Sequence, residues 1–193
     1  MKDILLIGAG GHCKSCIDVI EQQGIYRIAG IIDKDLLNRT TILGYPIIGT
    51  DQDLSDLRSK YEYALITVGQ IKTPEVKIML FNRLVELGYN TPTIISPLAY
   101  VSSHAKIGLG TIVMHHALIN ACAIVGENCI INSKALIEHD ARIGDHCHIS
   151  TAAIINGGTE VKQGSFFGSN AVSIESVITL NEDFIKAGSL FKG

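Results

Sequence analysis

The chain carries no surplus of charge of either sign: 16 Lys and Arg stand against 19 Asp and Glu, a net charge of -3. That balance gives no general electrostatic reason to bind nucleic acid or an anionic membrane. Long apolar runs are missing as well. The apolar start, Ile4 to Ile7, is four residues long, too short for the core of a secretory signal. Nothing approaches the roughly 18–20 apolar residues of a membrane span. Cysteine is sparse: five residues, an odd number, scattered through positions that read as core and loop. This suits a reducing cytoplasm, where the protein is expected to reside. At 193 residues the chain fits one or two small domains.

What is present is a period. From Val101, every sixth residue through Phe167 is aliphatic or aromatic, with no slip in phase. Four residues after each stands a small one, from Ala105 through Cys129 and Cys147 to Ala171. Composition alone does not hold two registers together, even in a chain that is 47% hydrophobic. A fixed short period marks a solenoid. Six residues are too few for a helix and a turn but suit a short strand and a bend, so three units close one triangular coil. The large residue points inward and the small one fits the corner. Successive coils then pair at about 4.8 Å, leaving unpaired edges only at the ends. A sandwich would instead show turn signals every eight to twelve residues, and this stretch has none. The phase breaks at Ser173.

Residues 1–96 read differently, as strands alternating with helices. Asp3–Ile7, Arg27–Ile32, Tyr63–Val68 and Thr91–Ile95 are expected strands, with a turn and extended piece over Leu43–Gly49. Cys13–Gln22, Leu54–Tyr61 and Pro74–Leu87 are expected helices, with Gly24 and Gly88 as stops. This alternation implies a small parallel sheet, a truncated Rossmann-like unit. Pro97 marks the expected boundary with a second domain over residues 97–193.

The first strand runs into Gly8-Ala9-Gly10-Gly11-His12. The full dinucleotide fingerprint would place a third glycine at Cys13, so the pattern is incomplete. A glycine-rich turn that opens a helix still aims N–H groups and a positive dipole end at an anion. Asp33 closes the second strand, where an acidic residue would meet a ribose hydroxyl. A nucleotide-linked substrate fits better than a nicotinamide cofactor, because no second mononucleotide half follows. Cys13 and Cys16 form a C-x-x-C at the helix start, where a thiolate would be stabilised. Packing is the simpler role for them, since other thioredoxin signals are absent.

One polar cluster stands out in the repeat: Asn132, Glu138-His139-Asp140, His146, His148 and Asn156-Gly157-Gly158. His139 falls two places after inward Ile137, so it leaves the prism surface flanked by two carboxylates. A histidine held by a carboxylate is a minimal general base near neutral pH. Gly157 lies one coil later in the same column, where a backbone N–H could meet a developing oxyanion.

The hexads resemble those of hexapeptide-repeat acyltransferases. The opening Ile7-Gly8-Ala9-Gly10-Gly11-His12, Asp33 and Leu136-Ile137-Glu138-His139-Asp140-x-x-Ile143-Gly144 together resemble the sialic acid O-acetyltransferase and bacillosamine N-acetyltransferase family. The resemblance covers nearly the whole chain. It implies a left-handed parallel β-helix after a small nucleotide-binding domain, acetyl-CoA as acyl donor, no metal, and a homotrimer with active sites at subunit interfaces. It also implies His139 as general base, Asp140 as its orienting carboxylate and Gly157 as donor to the thioester oxygen. His148 would lie at the thioester, and Gly168 with Ser169 would line the pantetheine groove. Gly10, Gly11, His12 and Asp33 would hold a nucleotide-sugar, and Asn132 would touch the sugar. The chain departs from the family at its end. The usual Gly-x-Pro-Ala-Lys-like segment is replaced by Ala187-Gly188-Ser189-Leu190-Phe191-Lys192-Gly193, leaving Lys186 or Lys192 to approach the coenzyme phosphates.

The acceptor stays open between an amino group of a nucleotide-linked 4-amino-4,6-dideoxy sugar and a hydroxyl of a sialic acid. Two readings of other classes also stand: a non-catalytic sugar-nucleotide-binding trimer, and a carbonic-anhydrase-like metal enzyme using His115, His116, His139 and His148. His139 and His148 are half a coil apart, so one prism places them on different faces.

Overall fold

The computed structural model describes residues 1–34, 40–70 and 72–193. Two compact units divide the chain: Met1–Gly69 with Val76–Pro92, and Gln70–Glu75 with Thr93–Gly193.

In the first unit, β1 (Lys2–Ile7) pairs in parallel with β2 (Tyr26–Ile32) and with β5 (Tyr63–Ile66); β4 (Tyr45–Gly49) adds in parallel to β2, and β3 (Thr41–Ile42) closes the far edge antiparallel. The sheet order is β3-β4-β2-β1-β5. Ile4 to Ile7 are fully buried, the continuous apolar run of a strand covered on both faces. Helix α1 (Gly11–Gln23) buries Cys13, Cys16, Ile17, Val19 and Ile20, and Gly24 ends it in the left-handed conformation at φ 67°, which glycine adopts without Cβ strain. Helix α2 (Leu54–Leu57) is a single turn, shorter than the expected Leu54–Tyr61, and α3 (Glu75–Glu86) matches its expected span.

The second unit is a left-handed parallel β-helix. Its two-residue strands stack into three parallel sheets of six, four and six strands. The pairing is strictly one coil apart, as in Leu118↔Leu136 and Ile137↔Ile155. The predicted inward residues are inward: Ile119, Ile131, Ile137, Ile149, Ile155, Val161 and Phe167 are all fully buried. The small residues Ala123, Ala135, Ala141, Cys147, Ala153 and Ala171 share that core.

The coil carries a third register besides the inward and small positions. The residue three after each inward position, from Gly110 to Gly188, has positive φ, and ten of these residues are not glycine, among them His116, Cys122, Asp140 and Ala152. A left-handed corner costs a non-glycine residue about 1–2 kcal/mol. Burying one inward Val, Leu, Ile or Phe returns about 1.5–3 kcal/mol, so the repeat tolerates ordinary residues at its corners. Gly110, Asn128, Asp140, Gly158, Gly164, Asn170 and Gly188 carried the corner signal in the sequence.

Two expectations are corrected. Ile94–Ile95 does not join the sheet of the first unit; it pairs with Ile112–Val113 as the first rung of the β-helix. Its apolar pair fits the hexad phase one step before Val101. Nor does the phase end at Ser173. Ser173, Thr179 and Ile185 are buried in succession, and rungs continue to Leu190–Phe191. Polar side chains occupy two inward positions because their hydroxyls take up hydrogen bonds inside the coil, a substitution that a search for aliphatic residues cannot see.

Candidate active site

His139 leaves the prism at a corner, its side chain 64% exposed. Its Nδ1 lies 2.8 Å from Oδ2 of Asp140. Asp140 stands at φ 62°, and this left-handed corner turns consecutive side chains toward each other. The hydrogen bond to Asp140, followed by the charges of Asp140 and Glu138, raises the imidazole above its ordinary value. Because a carboxylate accepts at Nδ1, the neutral ring has its lone pair on Nε2. Glu138 is itself held, accepting from Asn120 Nδ2 at 2.8 Å and from the backbone N–H of His139 at 3.2 Å.

Gly157 lies directly against this ring. A Cβ on it would fall 2.9 Å from His139 Cε1 and 3.1 Å from Nε2, so the site needs glycine there. Its carbonyl accepts from Ser176, and Gly158 donates to the carbonyl of His139. The N–H of Gly157 donates to no described residue. His139, Asp140 and Gly157 therefore come together at one corner column: an imidazole, the carboxylate on its Nδ1, and a backbone N–H that meets no described acceptor.

His148 and Asn132 form a second group on another face of the coil. The His148 ring is buried, donates from Nδ1 to the carbonyl of Gln70 at 2.6 Å, and meets Phe166 edge-on at 5.1 Å. Asn132 takes the N–H of Ser133 on Oδ1, which turns its Nδ2 toward His148 Nε2 at 3.3 Å. A carbonyl only accepts, so the partners place the His148 proton on Nδ1. Gln70 carries no local sequence signal, because it lies 78 residues from its partner. The backbone groups of Gly168 are spent within the coil, donating to Ile185 and accepting from Ala171, and a Cβ would strike Ala187. Ser169 shares a hydroxyl bond with Ser150 at 2.9 Å. Lys186 and Lys192 are exposed.

The first unit holds a cavity of about 250 Å³ at the C-terminal ends of its parallel strands, lined by Gly8, Gly10, Asp33, Lys34, Asp51 and Gly69 among others. Gly8, at φ 110°, has no room for a Cβ against Val68. Gly10 and Gly11 open the helix with nothing within 4 Å of where a Cβ would stand, leaving their backbone approachable. Asp33 accepts the N–H of Ala9 at 2.6 Å. Burial first, then the nearby charge of Asp33, raises the Asp51 carboxyl. His12 sits in the first turn of α1 beside Gly69, and neither it nor Gly11 lines the cavity.

The C-x-x-C is a packing pair. Burial pushes the Cys13 thiol up to about 11 and Cys16 well above the usual thiol range, which overrides the helix N-terminus. Among the described residues, no three His, Cys, Asp or Glu side chains gather as a metal site. His115 is bonded to Ser96 through Nδ1 at 2.7 Å.

Residues 3–80 match the PglD N-terminal domain family. No curated protein matches the sequence. The fold is similar to the acetyltransferase domain of PglB from Neisseria gonorrhoeae FA1090, solved in complex with acetyl coenzyme A. The identity is 28% over 97% of this chain and 89% of that one, with a TM-score of 0.89. PerB from Caulobacter crescentus, solved with CoA and GDP-perosamine, is 25% identical over 98% and 93% of the two chains, with a TM-score of 0.70. WeeI from Acinetobacter baumannii AYE shares the fold at 19% identity, covering 98% of this chain and 96% of its own, with a TM-score of 0.57.

Proposed function

We propose that this chain, an acetyl-CoA-dependent acyltransferase of the PglD-type hexapeptide-repeat enzymes, N-acetylates an amino group of a nucleotide-linked 4-amino-4,6-dideoxy-type sugar in surface-glycan biosynthesis. One observation carries the reading. Gly157, whose N–H meets no described acceptor, packs against the Cε1–Nε2 edge of a histidine whose Nδ1 is tied to Asp140.

The reaction is direct transfer. The unprotonated sugar amine attacks the thioester carbonyl carbon, forming the C–N bond, and the carbonyl oxygen takes the negative charge. The N–H of Gly157 donates to that oxygen. His139 Nε2 removes the proton from the attacking nitrogen, and Asp140 stabilises the imidazolium that forms. As the carbonyl re-forms, the C–S bond breaks and the thiolate of CoA takes the proton from His139. A placed base contributes about 10²–10⁴-fold and an oxyanion donor about 10²–10³-fold.

The nucleotide belongs in the cavity of the first unit. Gly10 offers unhindered backbone there, and the acidic pair Asp33 and Asp51 suits ribose hydroxyls. His148, Asn132 and Ser169 form the polar lining for acetyl-CoA and sugar, and the assembly is a homotrimer with each site at a seam between subunits.

The test is incubation with acetyl-CoA and a panel of UDP-, GDP- and dTDP-linked 4-amino sugars, with sialic acid as the hydroxyl acceptor. CoA release with amide product from one amino sugar, lost at least about a hundredfold in His139→Ala, is the expected result. Transfer to sialic acid alone, or full activity in His139→Ala, would overturn it. Nucleotide-sugar binding without any CoA release would point instead to a non-catalytic binding trimer.

A further inference from the structure

Along the β-helix, the residue after an inward position sends its backbone N–H to the carbonyl of the inward residue one coil later, except where that inward residue is Ser173 or Thr179, whose hydroxyl takes the N–H instead. Asn120 donates to Ile137, Asn132 to Ile149 and Glu138 to Ile155, each at 2.9 Å. The side chains of these three residues then fold back onto the next N–H in the chain. Asn120 caps Ala121 at 2.8 Å, Asn132 caps Ser133 at 2.8 Å and Glu138 caps His139 at 3.2 Å.

Asn156 follows inward Ile155, one coil after Glu138 in the column of Asn120 and Glu138, and departs from both habits. Its backbone N–H donates not to the carbonyl of Ser173 but to the Ser173 hydroxyl, at 2.9 Å. Its side-chain Nδ2 takes the Ser173 carbonyl in place of the backbone, at 2.6 Å. Strand pairing at this rung is reduced to Ile154↔Val172. The Asn156 amide is therefore turned away from the next N–H, that of Gly157, which stays open. Ser173 is fully buried at an inward position where an aliphatic residue is the rule. Its hydroxyl serves the ladder and also meets the buried Thr159 Oγ1 at 3.2 Å.

We propose that Ser173 is a positioning residue for acetyl transfer: by taking the Asn156 backbone N–H on its hydroxyl, it draws the Asn156 side chain off Gly157 and leaves that N–H free for the thioester oxygen. The inference rests on the acyltransferase reading above. With an aliphatic residue at 173, the ladder bond returns to the carbonyl and Asn156 becomes free to cap Gly157, as Asn120 and Asn132 cap their neighbours. The N–H then has to give up a hydrogen bond before it can serve the oxyanion.

The test uses the full chain with Ser173→Val, Ser173→Ala and Ser173→Thr, and Ser173→Val combined with Asn156→Ala. Ser173→Ala removes the hydroxyl without adding bulk, in case valine overfills the coil. Thr179 shows that threonine is accommodated inward with its hydroxyl on a ladder N–H, that of Lys162 at 2.8 Å. Two readouts are needed: NMR-resolved hydrogen exchange of the Gly157 amide without substrate, and steady-state kinetics.

In Ser173→Val and Ser173→Ala, exchange at Gly157 slows at least about tenfold and kcat falls at least about tenfold with KM little changed, short of the roughly 10²–10³ expected for complete loss of the donor. Ser173→Thr keeps wild-type values, and adding Asn156→Ala to Ser173→Val restores both fast exchange and most of kcat. Unchanged exchange in both hydroxyl-less variants would overturn the proposal whatever the activity. Slowed exchange with unchanged kcat would acquit Ser173 of a role in chemistry and sink the oxyanion assignment of Gly157 with it. Loss of kcat that Asn156→Ala does not rescue would mark Ser173 as merely structural, overturning the proposal while leaving the enzyme reading intact.

Discussion

His139 and Gly157 lie one coil apart in a single column, and the space that a side chain at 157 would fill is the space the imidazole occupies. In the proposed mechanism the pair is a base and a donor for one carbonyl, and each position constrains what the other can hold.

Gly157→Ala is the direct consequence. Its Cβ would press to 2.9 Å on His139 Cε1, and the ring, being exposed, can swing aside. Stability is expected to change within about 0.5 kcal/mol, as for most surface substitutions. Turnover is expected to fall at least about a hundredfold, because base and donor are displaced together. Thermal unfolding and kcat measured on the same preparation check this.

The pH dependence follows from the carboxylate beside the base. The proposed mechanism needs neutral His139, so kcat/KM is expected to rise with pH through the free enzyme's imidazole titration. The hydrogen bond to Asp140 raises that titration above its ordinary value, which puts the acid limb at a higher pH than an unperturbed histidine would give. Asp140→Asn removes the first cause of the rise, so the limb moves to lower pH while the plateau drops with the lost orientation. A pH–rate profile in which the limb stays put, or moves up, would contradict the assignment.

Coil stacking predicts a stability effect far from chemistry. A Cβ on Gly144 would meet the backbone of Gln163 at 2.7 Å, and backbone cannot swing aside as His139 can. Gly144→Ala is expected to cost about 1–3 kcal/mol by overpacking. Urea denaturation, compared with the near-neutral Gly157→Ala, separates the two kinds of glycine.

Thiol chemistry offers an independent check on the fold. Cys122 is exposed at a left-handed corner, whereas Cys13, Cys16, Cys129 and Cys147 are buried. Burial holds Cys13 at about 11, so little thiolate forms at pH 8. One equivalent should react rapidly with an aromatic disulfide reagent in the native protein, and five after unfolding. Fast modification of a second cysteine would argue against the packing described for α1 or for the coil corners.

Much of this was legible without coordinates because it rests on short periods. Inward aliphatic residues six apart, small corner residues four later, and the placement of His139 two after Ile137 follow from how a six-residue unit must fold. The strands and helices of the first unit were read within a few residues from apolar spacing and glycine stops. The coil's continuation past Ser173 was hidden, because the periodic signal is hydrophobic while the demand at that position is for any small side chain whose polar atom finds a partner inside.

What the sequence determined by itself is therefore the repeat, the parallel unit before it, and the column joining His139 to Gly157, since each is set by local spacing. Which donors stay open and which rings are locked was decided only by the folded chain. Ser173 reaches Asn156 across 17 residues, and Gln70 reaches His148 across 78. A hydrogen bond depends on where two groups meet in space, and no local period encodes that meeting.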